Sequence, residues 1–320
     1  METTRALVTG GVGLIGYSIV KNLLKHGEDV IVADDLSVYD QKLGEKLRAQ
    51  VEKEAKFYKL DFSDPSSADA LKPERPDFIY NFGSYSSDRY YEKDERGAIL
   101  KTILKTVMGQ INAFKIAGEL GAKVVYPSSG TVYGNTPAPQ TEGQKLAPQT
   151  VYAATKAYLE MYSSVHGQVR STALRIFTGF GAKELYKGSV ASVVTLFTAA
   201  AIRGEELVVY GDGTQKRDFI EVDDVAEVAY RAAKSEKDAR VLNCGSGKSY
   251  SYLELIDLIR KHAKDDLKVV HVPSRTKFVA ETRADVALLR DATGYVPKGL
   301  VETYPKYLRE LKELLSNDAS

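Results

Sequence analysis

Apolar and polar positions follow two rhythms along the first half of the chain. Short, nearly continuous apolar runs ("RALVT", "DVIVAD", "KFYKLDF", "DFIYNF", "AKVVYPS" and "RSTALRIF") predict buried β-strands. Between them, apolar residues recur three and four apart in "LIGYSIVKNLLKHG", over about 95–120 and near 149–166, which predicts helices. Strands alternating with helices predict an α/β fold, a parallel sheet covered on both faces. After about residue 182 the rhythm loosens. A helix over about 190–203, short strands "LVVYG" and "RDFI", and a helix from Asp223 or Asp224 lead to "RVLNCG". Helices near 251–264, 285–291 and 301–315 follow, and the final "NDAS" is expected to fray. This second half reads as a smaller, mixed α/β lobe.

Composition narrows the function classes. With 320 residues, 43% of them hydrophobic, the chain can bury the core of one large domain or two smaller ones. Lys and Arg number 44 against 43 acids, with no block of like charge, so the footprint of a nucleic-acid binder is missing and no such partner is expected. The longest apolar stretch, "VASVVTLFTAAAI", is too short and too hydroxylated to span a bilayer. The first strand begins near Arg5, leaving no room for a signal peptide, and a cytoplasmic location is expected. A single cysteine, Cys244, excludes an internal disulfide, and four scattered histidines show no metal-ligand spacing.

Three stretches carry candidate chemistry. The first strand runs into "TGGVGLIG", which sets Gly10, Gly13 and Gly16 three apart just before a helix. Glycine allows the tight turn and close approach of a pyrophosphate, whose charge then sits at the helix N-terminus. The second strand ends in Asp34, where an acid meets the adenosine ribose hydroxyls and repels a 2′-phosphate, favouring NAD over NADP. Tyr152 and Lys156, in "VYAATK", are four apart and share a helix face. An ammonium beside a phenol favours the phenolate and makes it a usable base. The same spacing occurs at Tyr17/Lys21 and Tyr230/Lys234 in a chain with 20 tyrosines, so place selects the pair. Only Tyr152 follows a strand ending in hydroxyls, "YPSSGTVYG", and in a parallel sheet Ser129 and Tyr152 converge at one edge.

The stretches "TGGVGLIG", "VADDLS", "LDFSD", "PSSGTVYG", "VYAATK", "LRIFTGFGA", "VYGDGTQKRDFIEVDDVAE", "LNCGSG" and "TRADVALLRDATGY" follow one another in this order from Thr9 to Tyr295. The chain resembles the extended short-chain dehydrogenase/reductase superfamily, in its nucleotide-sugar epimerase/dehydratase branch. That resemblance implies a Rossmann-type doubly wound sheet with tightly held NAD over 1–182, rejoined by parts of about 212–243. It implies a nucleotide-sugar lobe over 183–320 and a homodimer formed by the helix over about 95–120 and the helix carrying Tyr152. Residue by residue, it makes Tyr152 the general base, with Lys156 lowering its pKa and holding the nicotinamide ribose. Ser129 hydrogen-bonds the reacting hydroxyl, with Thr131 beside it. The cofactor would meet Gly10, Gly13, Leu14, Ile15 and Gly16 of the loop, Asp34 and Asp35, Asp61 and Phe62, and Phe82 and Gly83. Arg217 and Arg275 match arginines that grip the substrate diphosphate, to which guanidinium forks are suited. Three places depart from the pattern. Thr178 replaces an asparagine that contacts the substrate phosphates, Phe82 stands where a small residue is usual, and "RTKF" keeps only Arg275 of an arginine-proline-glycine-aspartate.

The reaction is narrowed by the two positions after Ser129. By resemblance, a 4,6-dehydratase has an aspartate and a glutamate there, and a decarboxylase of UDP-glucuronate a glutamate. Here they are Gly130 and Thr131, neither of which transfers protons as a carboxyl does. Epimerisation at C4 needs no further acid or base, so a nucleotide-sugar 4-epimerase acting on a UDP-sugar is expected. Thr282 aligns with a wall of the pocket near the C2 substituent, and a small residue there would admit an N-acetyl group. A nucleotide-sugar ketoreductase, which exchanges its cofactor at each turnover, and a non-catalytic NAD-binding regulator remain as alternatives.

Overall fold

The computed structural model describes residues 3–37, 41–85, 96–273 and 279–318, and is built around a seven-stranded sheet. The six apolar runs of the first half supply β1 (Arg5–Thr9), β2 (Asp29–Asp34), β3 (Lys56–Lys59), β4 (Phe78–Asn81), β5 (Lys123–Ser129) and β6 (Ser171–Ile176). A later strand, β10 (Val241–Cys244), returns to pair with β6. All pairings are parallel, in the order β10-β6-β5-β4-β1-β2-β3. Apolar residues line both faces because both are covered: Ala6 and Val8 join one core cluster, Leu7 between them the other. On the first face lie α1 (Leu14–Lys25) and α7 (Val222–Lys234), through Ile19, Val20, Leu23, Val225 and Ala229. On the second lie α4 (Arg96–Leu120) and α5 (Val151–Val165), through Ala113, Phe114, Ala117 and Leu159.

The strand order reverses between β1 and β4, which opens a crevice at the C-terminal ends of the central strands. Two short helices, α2 (Gln41–Val51) and α3 (Pro65–Asp69), complete the edge around β3. The remaining elements gather round a third core. These are β7 (Thr178–Phe180), α6 (Val193–Arg203), β8 (Leu207–Tyr210), β9 (Lys216–Glu221), β11 (Ser249–Ser251), α8 (Tyr252–His262), β12 (Val269–Val272) and α10 (Leu300–Asp318), while α9 (Ala287–Thr293) lies against the first core. Phe180, Phe197, Phe219, Ile256, Tyr304 and Leu311 fill that core, whereas Leu289 of α9 packs into the first one. Here β9 pairs parallel with β7 and antiparallel with β11, and β8 pairs parallel with β12, so this half is mixed. Among the described residues no single helix is long and apolar enough to cross a membrane.

Candidate active site

A cavity of about 510 Å³ occupies the crevice, within the range of small-molecule sites. One wall is the glycine loop. Gly10 has φ +66°, and a Cβ there would fall 2.6 Å from Cα of Gly83, the loop after β4. A Cβ at Gly16 would fall 2.0 Å from the Gly10 carbonyl oxygen, so neither position tolerates a side chain without backbone movement. The first turn of α1 has no side-chain cap at Gly13, and Gly13, Leu14, Ile15 and Gly16 all line the cavity. Its amide groups are therefore available to an anion. Asp34 braces the loop: its carboxylate accepts from Val12 N at 3.0 Å and Leu36 N at 2.8 Å. Burial raises the Asp34 pKa against those hydrogen bonds. Phe62, Phe82 and Gly83 line the same end, and the Phe82 ring belongs to the core under the loop.

Two further acids there share one lysine. Lys105 of α4 meets Asp35 at 2.6 Å and Asp61 at 2.8 Å, and each acid also accepts from the amide and hydroxyl of a serine two residues on, Ser37 or Ser63. These partners hold both carboxyls below the usual range against the opposing effect of burial, and raise Lys105. The amines, phosphates and ribose hydroxyls of NAD suit this set of acids, amides and glycines, so the residues fit the cofactor.

Ser129 ends β5 and caps a short 3-10 turn, Gly130–Tyr133. Its Oγ accepts from Thr131 N at 3.2 Å and Thr131 Oγ1 at 3.0 Å, which leaves the seryl hydrogen to donate into the cavity. Thr150 caps α5 through Ala153 N at 3.1 Å and so sets Tyr152 in its first turn. Lys156, one turn on, is 1% exposed. Its Nζ lies 5.7 Å from the Tyr152 ring centroid and donates to Ser84 Oγ at 3.0 Å. Burial lowers its pKa to about 7. Ser129, Thr131, Tyr152 and Lys156 all line the cavity. The other Tyr/Lys pairs do not: Lys21 meets Glu54 and Lys234 meets Glu28, each at 2.7 Å.

Behind the hydroxyl loop lies a buried polar network. Glu160, one turn beyond Lys156, accepts from Ser128 Oγ and receives a two-pronged ion pair from Arg175 at 2.9 and 2.7 Å. Arg175 also donates to the Tyr133 hydroxyl at 2.8 Å, which donates to Asn243 at 2.6 Å. The network joins α5, β5, β6, β10 and the 3-10 turn, and so fixes Tyr152 and Lys156 against Ser129.

The far wall comes from Thr178, Gly179, Glu184, Lys187, Ser192, Val222 and Tyr252. Arg217 does not line the cavity, and its Nη1 donates to the carbonyls of Lys216 at 2.7 Å and Val279 at 2.9 Å. Thr282 also lies outside the lining, its amide bonded to Lys216 O. Arg275 lies outside the described residues. Sequence reasoning missed Lys105, Ser84, Glu184, Lys187 and Tyr252. A signal for the α4 wall was present in Thr102, Thr106 and Gln110, buried polar residues four apart.

A family model described as "NAD dependent epimerase/dehydratase family" matches residues 6–245. A UDP-glucose 4-epimerase of Mycolicibacterium smegmatis is 30% identical over 301 residues, 92% of this chain and 94% of that one. UDP-glucuronic acid decarboxylase 6 of Arabidopsis thaliana is 27% identical, over 92% of this chain and 84% of that one. Among solved structures, the UDP-N-acetylglucosamine 4-epimerase of Methanobrevibacter ruminantium superposes with a TM-score of 0.86 at 28% identity, covering 99% of this chain and 100% of that one.

Proposed function

The chain belongs to the NAD dependent epimerase/dehydratase family, and from that premise we propose that it is a nucleotide-sugar 4-epimerase of the UDP-hexose type. The observation that carries this reading is the surface next to Ser129. Gly130 and Thr131 bring no carboxyl, and a Cβ at position 130 would meet the Phe177 ring at 3.2–3.3 Å, so even a small side chain there would press on that ring. Decarboxylation and dehydration lack their proton-transfer groups there. A hydride removed from C4 and returned to its opposite face needs only the base and hydroxyl at hand.

NAD, when bound, supplies the hydride acceptor and donor. Tyr152 takes the proton from the sugar's O4 and later returns it, giving a transient 4-keto sugar. Lys156 favours the phenolate by its charge, and Ser129 donates to the reacting oxygen while Thr131 orients Ser129. Gly10, Gly13, Leu14, Ile15 and Gly16 hold the pyrophosphate, Asp34, Asp35, Asp61, Phe62, Phe82 and Gly83 the adenosine half, and Thr178 meets the substrate. Residues 1–182, with parts of about 212–243, form the NAD-binding unit and 183–320 the sugar-nucleotide lobe. The proposed location is the cytoplasm, where a buried thiol such as Cys244 stays reduced.

The proposed assembly is a homodimer through α4 and α5. Leu100 and Leu104 on α4 and Val151, Tyr158, Met161 and Val165 on α5 are exposed, with Met161 at 57% and Val165 at 74%. The α5 positions form one stripe at helical spacing, the apolar surface of a helix that still lacks its neighbour.

The test is to incubate the pure protein, without added cofactor, with UDP-glucose, UDP-galactose and their N-acetylhexosamine counterparts, and to resolve products by NMR. The expected result is a new C4 epimer that disappears in Tyr152→Phe, by about 10²- to 10⁴-fold in rate. Product that forms only with stoichiometric NADH would identify a ketoreductase instead.

A further inference from the structure

We propose that Lys105 is a positioning residue that retains the cofactor. By joining Asp35 to Asp61 it holds two loops together at the adenosine end and offsets their charge, and so slows the release of NAD. This inference rests on the assignment of that end to adenosine made above, and not on the reaction. Asp35 lies just past β2 and Asp61 just past β3, so the two acids leave neighbouring parallel strands. Lys105 comes from α4, on the second face of the sheet, and among the described residues of that helix it alone lines the cavity. Its Nζ meets Asp35 Oδ2 at 2.6 Å and Asp61 Oδ2 at 2.8 Å. The other oxygen of each acid, Oδ1, accepts from the amide and hydroxyl of Ser37 or Ser63. Each serine thus orients one carboxylate within its own loop, and the ammonium spans from one loop to the other.

Backbone shape and charge both give that span consequences for the cofactor. Leu36, between Asp35 and Ser37, has φ +61°, a left-handed backbone that a residue with a bulky side chain rarely adopts, so the bonds of this loop hold it against strain. Asp34, Asp35 and Asp61 all line this end of the cavity, and NAD brings a negative diphosphate of its own. Without the ammonium, Asp35 and Asp61 would repel each other and that diphosphate. The lysine side chain is 21% exposed, so the interaction is partly shielded from water yet still open to screening by salt. The helix does not depend on it: Ala113, Phe114 and Ala117 sit in the core, and Asn112 Nδ2 donates to Phe62 O at 2.8 Å. Variants at position 105 therefore test the clamp and not the fold.

The experiment uses full-length wild type, Lys105→Met and Lys105→Arg, and none of its arms needs a sugar. Release of NAD from the loaded protein is followed by mass spectrometry as exchange against isotope-labelled NAD. Binding of ADP-ribose, which carries the adenosine end without the nicotinamide, is measured on stripped protein by calorimetry at about 0.05 and 1 M salt. At low salt Lys105→Met is expected to release NAD roughly 10- to 100-fold faster and to weaken ADP-ribose by a similar factor. Its deficit against wild type should narrow at high salt, and Lys105→Arg should recover most of the loss. Unchanged release in Lys105→Met overturns the proposal. A loss that is equal at both salts and persists in Lys105→Arg also overturns it, because that is the mark of a packing role for the lysine stem. Wild type that holds NAD but does not bind ADP-ribose would overturn the assignment of this end to adenosine, and the proposal with it, while leaving the reaction untouched.

Discussion

Lys156 couples the proposed catalytic arrangement to stability. In the folded protein burial brings its pKa to about 7, against an ordinary value of 10.5. Between those values the unfolded chain binds one proton more than the folded one, so this residue makes stability rise with pH, by at most about 1.4 kcal/mol per unit. Below about pH 7 both states are protonated and the penalty of burying the charge is present in full. Protein stripped of NAD should therefore gain stability over Lys156→Met's pH trend from pH 7 upward in urea unfolding, and parallel curves for the two would contradict this. The residues legible from sequence were those whose chemistry demands a residue type at a fixed place in the fold: the loop glycines, Asp34, Ser129 and Tyr152. Lys105 and Lys187 were not legible. A lysine on an amphipathic helix or a loop looks like any solvated charge until the fold shows which cavity it meets.

At the scale of elements, α5 does two things with one helical period. Tyr152, Lys156 and Glu160 fall four apart on its inner side, while Val151, Tyr158, Met161 and Val165 fall on its outer side. Glu160 ties that inner side to β6 through Arg175, both side chains under 10% exposed. Glu160→Ala should cost about 3–5 kcal/mol because it leaves the Arg175 charge buried without its counter-charge. A loss below about 1 kcal/mol in denaturant unfolding would show that the pair is not a structural tie. Helix and strand positions in the first half were legible because buried parallel strands read as apolar runs. The helix α2 was not read from sequence: "QKLGEKLRAQV" has a glycine and few apolar residues, among which Leu47 and Val51 are buried. The edge strand β3 is shorter than its apolar run, since Leu60, Asp61 and Phe62 turn into the cavity wall.

For the whole molecule, the reversal of strand order between β1 and β4 brings the glycine loop, the Ser129 turn and the start of α5 to one crevice, and the second half supplies the opposite wall. That convergence was legible from the alternation of elements, whereas the identity of the far wall was not, because it depends on packing between distant segments. The exposed stripes of α4 and α5 give a prediction at this scale. Met161→Glu together with Leu104→Glu should convert a dimer to a monomer in light scattering, and a wild-type monomer would remove the proposed interface. The central claim is that hydride leaves C4 and returns to the same carbon. It is tested most directly with UDP-glucose or UDP-galactose carrying deuterium at C4, incubated with the purified protein in ordinary water without added cofactor. The account predicts that the new epimer keeps its deuterium at C4 through many turnovers. An epimer bearing hydrogen from water at that carbon would contradict it.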